Sequence, residues 1–168
     1  FSPRSEADLL KYCYHVAGVV GLMMACIMGV AADDEETLSR ANDLGLAFQL
    51  ANIARDMSED ADAGRCYIPS QWLAEQGILP GEHMKPKHRP GMAKIAQRMA
   101  DMAAGYEASA RIGARRLPFR SRWAVLAAAG IYGDIAAIAG IVGYADLTLG
   151  DAVQPVLEAH IAAAGGRF

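Results

Sequence analysis

Aromatic residues make up only 7% of this 168-residue sequence, and no stretch alternates apolar and polar residues as a strand does. Both absences argue against a β-sheet protein, whose strands favour aromatic and β-branched side chains in a period of two. An excess of positive charge is also lacking. Sixteen Lys and Arg against 19 Asp and Glu give a net charge of −3, which removes the electrostatic basis for a nucleic-acid partner. The three cysteines, Cys13, Cys26 and Cys66, form no C-x-x-C pair, so neither a disulfide framework nor a zinc site is indicated. Reduced thiols in the cytoplasm are expected instead. There is no internal repeat and no glycine-rich phosphate loop. The opening residues, FSPRSEAD, are polar rather than signal-like and contain no initiator Met, so the chain reads as a portion of a longer protein.

What is abundant is Ala, Met, Leu and Ile, within a hydrophobic fraction of 53%. That mixture favours helices. The expected class is all-α, one domain over residues 1–168, long enough to bury roughly 70% of its unfolded surface. The periodicity predicts a first helix over 8–32, uncharged from Tyr12 onward. It is long enough to span a bilayer, but its glycines, His15 and two cysteines fit a buried core helix better. A second helix runs from Asp33 to about Asp60; its opening Asp33-Asp34-Glu35-Glu36 is read as a cap favoured by the helix dipole rather than as a metal motif. The segment 62–91, punctuated by Pro and Gly, is a loop with one short helix after Ser70. Helices over 92–116 and 121–144 come next, and Asp151 caps a last one ending at Gly165-Gly166.

The informative segment is GLAFQLANIARDMSEDADAGRCYIP, residues 45–69. At roughly 100° per residue, Gln49, Asn52, Asp56 and Asp60 fall within an arc of about 80° on one helix face. Two carboxylates one turn apart disfavour a helix by a few tenths of a kcal/mol. A hard divalent cation with oxygen ligands removes that repulsion, and Mg²⁺ commonly bridges carboxylates to substrate phosphates. Gln49 and Asn52 carry the polar stripe into an otherwise apolar helix, where unpaired amides are costly. Arg55 and Arg65 flank the acids and can grip a diphosphate through paired hydrogen bonds. A solvated acidic helix end remains the plain alternative.

These residues carry a resemblance. NIARDMSEDADAGRCYIP, residues 52–69, is similar to the second aspartate-rich motif of the squalene/phytoene synthase family. YCYHVAGVVG, residues 12–21, resembles another signature of that family, and GRCYIPSQWLAEQG, residues 64–77, looks most like its bacterial phytoene-synthase branch. The resemblance spans residues 8–132 and implies a helical isoprenoid-synthase bundle. It implies Mg²⁺, with Mn²⁺ as the alternative, on Asn52, Asp56 and Asp60. It also implies diphosphate contacts from Gln49, Arg55, Arg65 and Tyr67, and a catalytic Tyr12 beside the reacting carbons. Gly18, Val19 and Gly21 would wall the prenyl channel, or else serve close helix packing. The implied reaction joins two geranylgeranyl diphosphates head to head, giving phytoene through prephytoene diphosphate. Squalene-type condensation of farnesyl diphosphate and a non-catalytic helical paralogue are the alternatives.

The sequence also departs from that pattern. The family's first aspartate-rich helix precedes the tyrosine signature, yet only eleven residues precede Tyr12 here, so a preceding segment of the same fold is the expected partner. Gly133-Asp134 stands where basic residues are usual. His83 and His88 are read as surface histidines, His15 as a core or cavity-edge group, and Trp72 and Trp123 as packing residues. Apolar character around Trp72 and Leu73 suggests peripheral contact with the inner membrane.

Overall fold

The structure, a computed structural model, describes residues 2–142. The expected helix after Asp151 lies outside them. Every regular element among the described residues is helical, as the composition implies. The first helix is built of α1 (Glu6–Cys13), a π-helical segment (Tyr14–Gly18) and α2 (Val19–Ile27). Then come α3 (Glu35–Arg55), α4 (Met57–Asp62), α5 (Ser70–Glu75), a 3₁₀ turn (Pro86–His88), α6 (Arg89–Ala114) and α7 (Phe119–Val142).

Local chemistry sets these boundaries. Ser5 starts α1 two residues before the expected Asp8: its hydroxyl accepts from the Asp8 N–H at 3.2 Å while the Asp8 carboxylate accepts from the Ser5 N–H at 3.0 Å, a reciprocal cap. Asp34 caps α3 through the Thr37 N–H at 3.1 Å. Arg116 then ties that end to α6, with Nη2 2.6 Å from Glu36. The acidic run is thus a cap, as expected. The helix expected to reach Asp60 bends at Asp56 (φ −95°, ψ 11°). The ladder survives the bend: Asp56 N–H donates to Asn52 at 2.9 Å, and Asp60 N–H to Asp56 at 2.8 Å.

Helix α3 is the central element, with α6 and α7 along one side and the first helix along the other. The core gathers Leu9, Leu50, Trp72 and Met99, all essentially solvent-free, with Ile53 and Ile95 beside them. Burying each such side chain contributes about 1.5–3 kcal/mol. Trp72 is therefore a packing residue, as expected, and both it and Leu73 are core residues, so neither offers the apolar surface suggested for membrane contact. Main-chain bonds from Ser70 to Pro3 (3.0 Å) and from Gln71 to Arg4 (3.1 Å) pin α5 down, and Arg98 stacks over the Trp72 ring at 4.1 Å.

Three further expectations need correction. Trp123 is 69% exposed rather than packed, His15 is exposed against the edge of Tyr14, and His83 is buried rather than on the surface. The first helix is buried on one face only, through Leu9, Cys13, Gly18 and Ala25. Val16, Val20, Met23, Met24 and Ile27 are exposed, the first, second and fourth of them at the mouth of a cavity described below. By length and composition the helices Glu6–Ile27 and Phe119–Ala139 could each cross a membrane, which is weak evidence for either.

Candidate active site

The bend at Asp56 sits on the rim of a polar pocket of about 310 Å³. Helix α1 contributes Tyr12; α3 contributes Gln49, Asn52, Ile53 and Arg55. Asp56 stands at the bend, Asp60 on α4, and Arg65 and Tyr67 on the segment that turns back after it. That return depends on Gly64. Its φ of +70° is the left-handed region that glycine enters without cost, and it lets the Arg65 N–H donate to the Asp60 carbonyl at 2.7 Å. Eight of the residues singled out from the sequence thus line one pocket; Ile53 joins them.

Each acid is held by an arginine. Arg55 grips Asp56 with two bonds, Nε to Oδ1 at 2.5 Å and Nη2 to Oδ2 at 2.7 Å, while Arg65 Nε reaches Asp60 Oδ1 at 3.0 Å. Both guanidinium groups are half exposed, so these pairs are cheap to exchange for other anions. Tyr12 stacks on Tyr67, ring centres 5.0 Å apart and 24° from parallel. Burial, then hydrogen bonding to Tyr67, pushes the Tyr12 phenol up to about 12, with the nearby Asp60 charge adding to the effect. Tyr12 is therefore a neutral donor at physiological pH. Burial likewise pushes the Cys13 thiol up to about 12 and raises that of Cys66. Neither sulfur is poised as a nucleophile.

A separate apolar cavity of about 380 Å³ lies between the first helix, α3, α6 and α7. Val16, Ala17, Val20, Gly21, Met24 and Phe48 are among its walls. Of the three residues expected to wall a channel or to serve close helix packing, Gly21 lines this cavity and also packs against the Ala41 backbone. Gly18 is buried facing Asn42, and Val19 is not part of the lining. The i, i+4 series Val16, Val20, Met24, Met28 was the signal for this wall in the sequence. Gly18, Gly21 and Gly45 bring the first helix and α3 together: a Cβ on Gly45 would fall 2.7 Å from the Gly18 Cα.

This combination of one acidic helix face, a tyrosine pair and a glycine-packed apolar cavity has relatives. The family model for squalene/phytoene synthase matches residues 1–140. The chain belongs to the squalene/phytoene synthase family. Among curated members of that family, the 15-cis-phytoene synthase of Enterobacter agglomerans is 55% identical over 128 residues, covering 76% of this chain and 43% of that protein. The corresponding enzyme of Pantoea ananas is 53% identical, with 76% and 41% covered. The chain thus spans about two-fifths of these relatives' length. A dehydrosqualene synthase solved with a ligand superposes with a TM-score of 0.76 at 23% identity, over 99% of this chain and 60% of that one. Squalene synthase HpnC from Alicyclobacillus acidocaldarius gives 0.74 at 23%, over 85% and 54%. Those two likenesses establish the family's all-α fold.

Within that fold, Asn52, Asp56 and Asp60 are the available oxygen donors for a hard cation. No group of three or more His, Cys, Asp or Glu converges among the described residues. Carboxylate and amide oxygens are donors of the type a hard cation takes.

Proposed function

We propose that this chain supplies one of the two acidic helices of an enzyme that condenses two geranylgeranyl diphosphates into phytoene, in the cytoplasm. The observation that carries this reading is that α3 lines both the polar pocket of the Arg-paired Asp56 and Asp60 and an apolar cavity. The relatives named phytoene synthases support the choice of product. In this reading the polar pocket takes the diphosphate and the cavity takes the prenyl chain. The rest of the longer protein brings a second acidic helix, so the 168 residues alone are inactive.

Asn52, Asp56 and Asp60 would hold Mg²⁺, or Mn²⁺ in its place. The metal, when bound, offsets the charge of the departing diphosphate. Arg55 and Arg65 leave their carboxylates and donate to phosphate oxygens, holding the leaving group in line. As the C–O bond breaks, its electron pair goes to diphosphate and the allylic cation faces the Tyr12–Tyr67 rings, whose π faces stabilise positive charge. The second substrate's double bond attacks, and loss of a proton closes the cyclopropane of prephytoene diphosphate. A second ionisation, rearrangement and proton loss give phytoene, two diphosphates and two protons in all. The apolar walls exclude water that would quench the cation.

The test is product analysis of the full reading frame with geranylgeranyl and farnesyl diphosphates and Mg²⁺, beside Asp56→Asn and Asp60→Asn. Phytoene from the parent, reduced about 10²–10³-fold in each variant as for loss of one charge-stabilising group, is expected. A squalene-type product from farnesyl diphosphate would move the reading to the alternative condensation. Undiminished variants would sink the site assignment. A folded full-length protein that yields nothing from either substrate would favour a non-catalytic paralogue.

A further inference from the structure

The chain has four lysines, Lys11, Lys85, Lys87 and Lys94. Three of them fall within ten residues, on the turn that leads from α5 into α6 and on the first part of α6. Arg89 lies among them, and Glu82 is the sole acid from Leu79 to Lys94. A protein of net charge −3 thus carries a local excess of three cations on one short segment. Glu82 organises that charge. Its carboxylate receives Lys85 Nζ at 2.6 Å and Lys87 Nζ at 3.0 Å, with His88 Nε2 3.4 Å away. Both lysine side chains remain more than half exposed.

Two large apolar side chains project from the same turn, Leu79 at 64% and Met84 at 44% exposure. The turn itself is fixed. Buried Ile78 and His83 anchor it. Main-chain bonds Glu82 to Leu79 (3.0 Å), Lys85 to Glu82 (2.9 Å) and His88 to Lys85 (2.9 Å) close it in successive steps. Its position in the bundle is also defined. Helix α6 runs antiparallel to α3, since Ser109 bonds Arg40 and Asp43 while Ala103 meets Phe48 across a small void. The N-terminus of α6, and the turn before it, therefore sit toward the Asp56 end of α3.

We propose that residues 79–89 form a docking element for an anionic lipid surface. Leu79 and Met84 enter the headgroup–acyl boundary, while Lys85 and Lys87 lie against lipid phosphates. Charge complementarity selects this occupant. At physiological ionic strength the screening length is about 8 Å, so the half-exposed Lys85 and Lys87 act on a surface in contact with the turn despite the net charge of −3. Each cation near such a surface strengthens binding about fivefold. The proposal stands on this surface alone and does not need the transferase reading. It also relocates the membrane contact, from the buried Trp72 and Leu73 to the turn just after them.

The test is co-sedimentation of the protein, expressed from its full reading frame, with phosphatidylcholine–phosphatidylglycerol vesicles and with phosphatidylcholine vesicles. Binding to the mixed vesicles is expected, falling steeply with added salt. The double variant Lys85→Gln/Lys87→Gln should bind about 30-fold more weakly. Leu79→Ser/Met84→Ser should also lose binding. Phe119→Ser/Trp123→Ser, on the exposed face of α7, should retain it. All the substituted positions are exposed, so unchanged thermal midpoints are expected throughout. Failure of the parent to sediment with anionic vesicles overturns the proposal. So does a lysine variant that binds like the parent, or a loss confined to the α7 variant.

Discussion

The two halves of α3 solve different problems. Near its middle, Gly45 faces the Gly18 backbone so closely that no side chain fits between the helices. Toward its C-terminus, Gln49, Asn52 and Asp56 look into an open polar pocket, where half-exposed arginines hold the acids. Precision is needed where main chain meets main chain, because close-packed interiors relax little. Adaptability is needed where one anion must be exchanged for another. A single helix serves both because the contacts are divided along its length.

Substitutions can test that division. Gly45→Ala should have the largest effect on stability, about 1–3 kcal/mol or more from overpacking, read as a lower denaturation midpoint. A loss below about 0.5 kcal/mol would mean that the crossing is looser than described. Gly64→Ala should cost about 1–2 kcal/mol for a left-handed backbone and weaken diphosphate binding with it, because Arg65 is placed by that turn. Arg65→Lys should leave the melting midpoint within about 0.5 kcal/mol of the parent. It should still raise the KM for the diphosphate substrate several-fold, since an ammonium cannot make the fork-shaped contact. An equal fall in stability would erase the contrast between the two halves.

The smallest effect concerns pH, in the turn before α6. Burial holds His83 below its ordinary value of 6.5, so the unfolded state binds more protons as pH falls through 6.5. The stability that depends on neutral His83 is then lost below that value. Lys85, Lys87 and His88 depress Glu82 from 4.5 to about 2. Its contribution is present above 4.5 and disappears as pH falls toward 2. Protection factors for amide exchange at residues 79–88, with the intrinsic pH dependence divided out, should fall first as pH drops below 6.5, while the core holds its protection. A flat profile there would count against a buried, neutral His83.

Much of this was readable in the residues. The 100° spacing placed Gln49, Asn52, Asp56 and Asp60 on one face, and the structure keeps them together because the hydrogen-bond ladder survives the bend at Asp56. The capping role of Asp34 came from its place at a helix start. Other features depend on information that a local pattern does not hold. The π-helical turn at Tyr14–Gly18 interrupts the first helix without any mark in the local apolar pattern. Trp72 reads as a packing residue and is one, but its partners are not local: Pro3 and Arg4 hold the start of α5, and Arg98 lies over the ring. The pairing of Arg55 and Arg65 with one acid each depends on the bend and on the reversal at Gly64, not on composition.

The glycine contact between the first helix and α3 has a consequence for the cavity beside it. Its gauge is set by main chain, like the fixed jaw of a caliper, and not by the side chains that line it. Exchanging Met24 or Phe48 for a smaller residue should therefore deepen the bore by nearly the volume removed, with little inward collapse. Variation at those two positions would tune the length of guest the protein admits, while the helices themselves stay where they are.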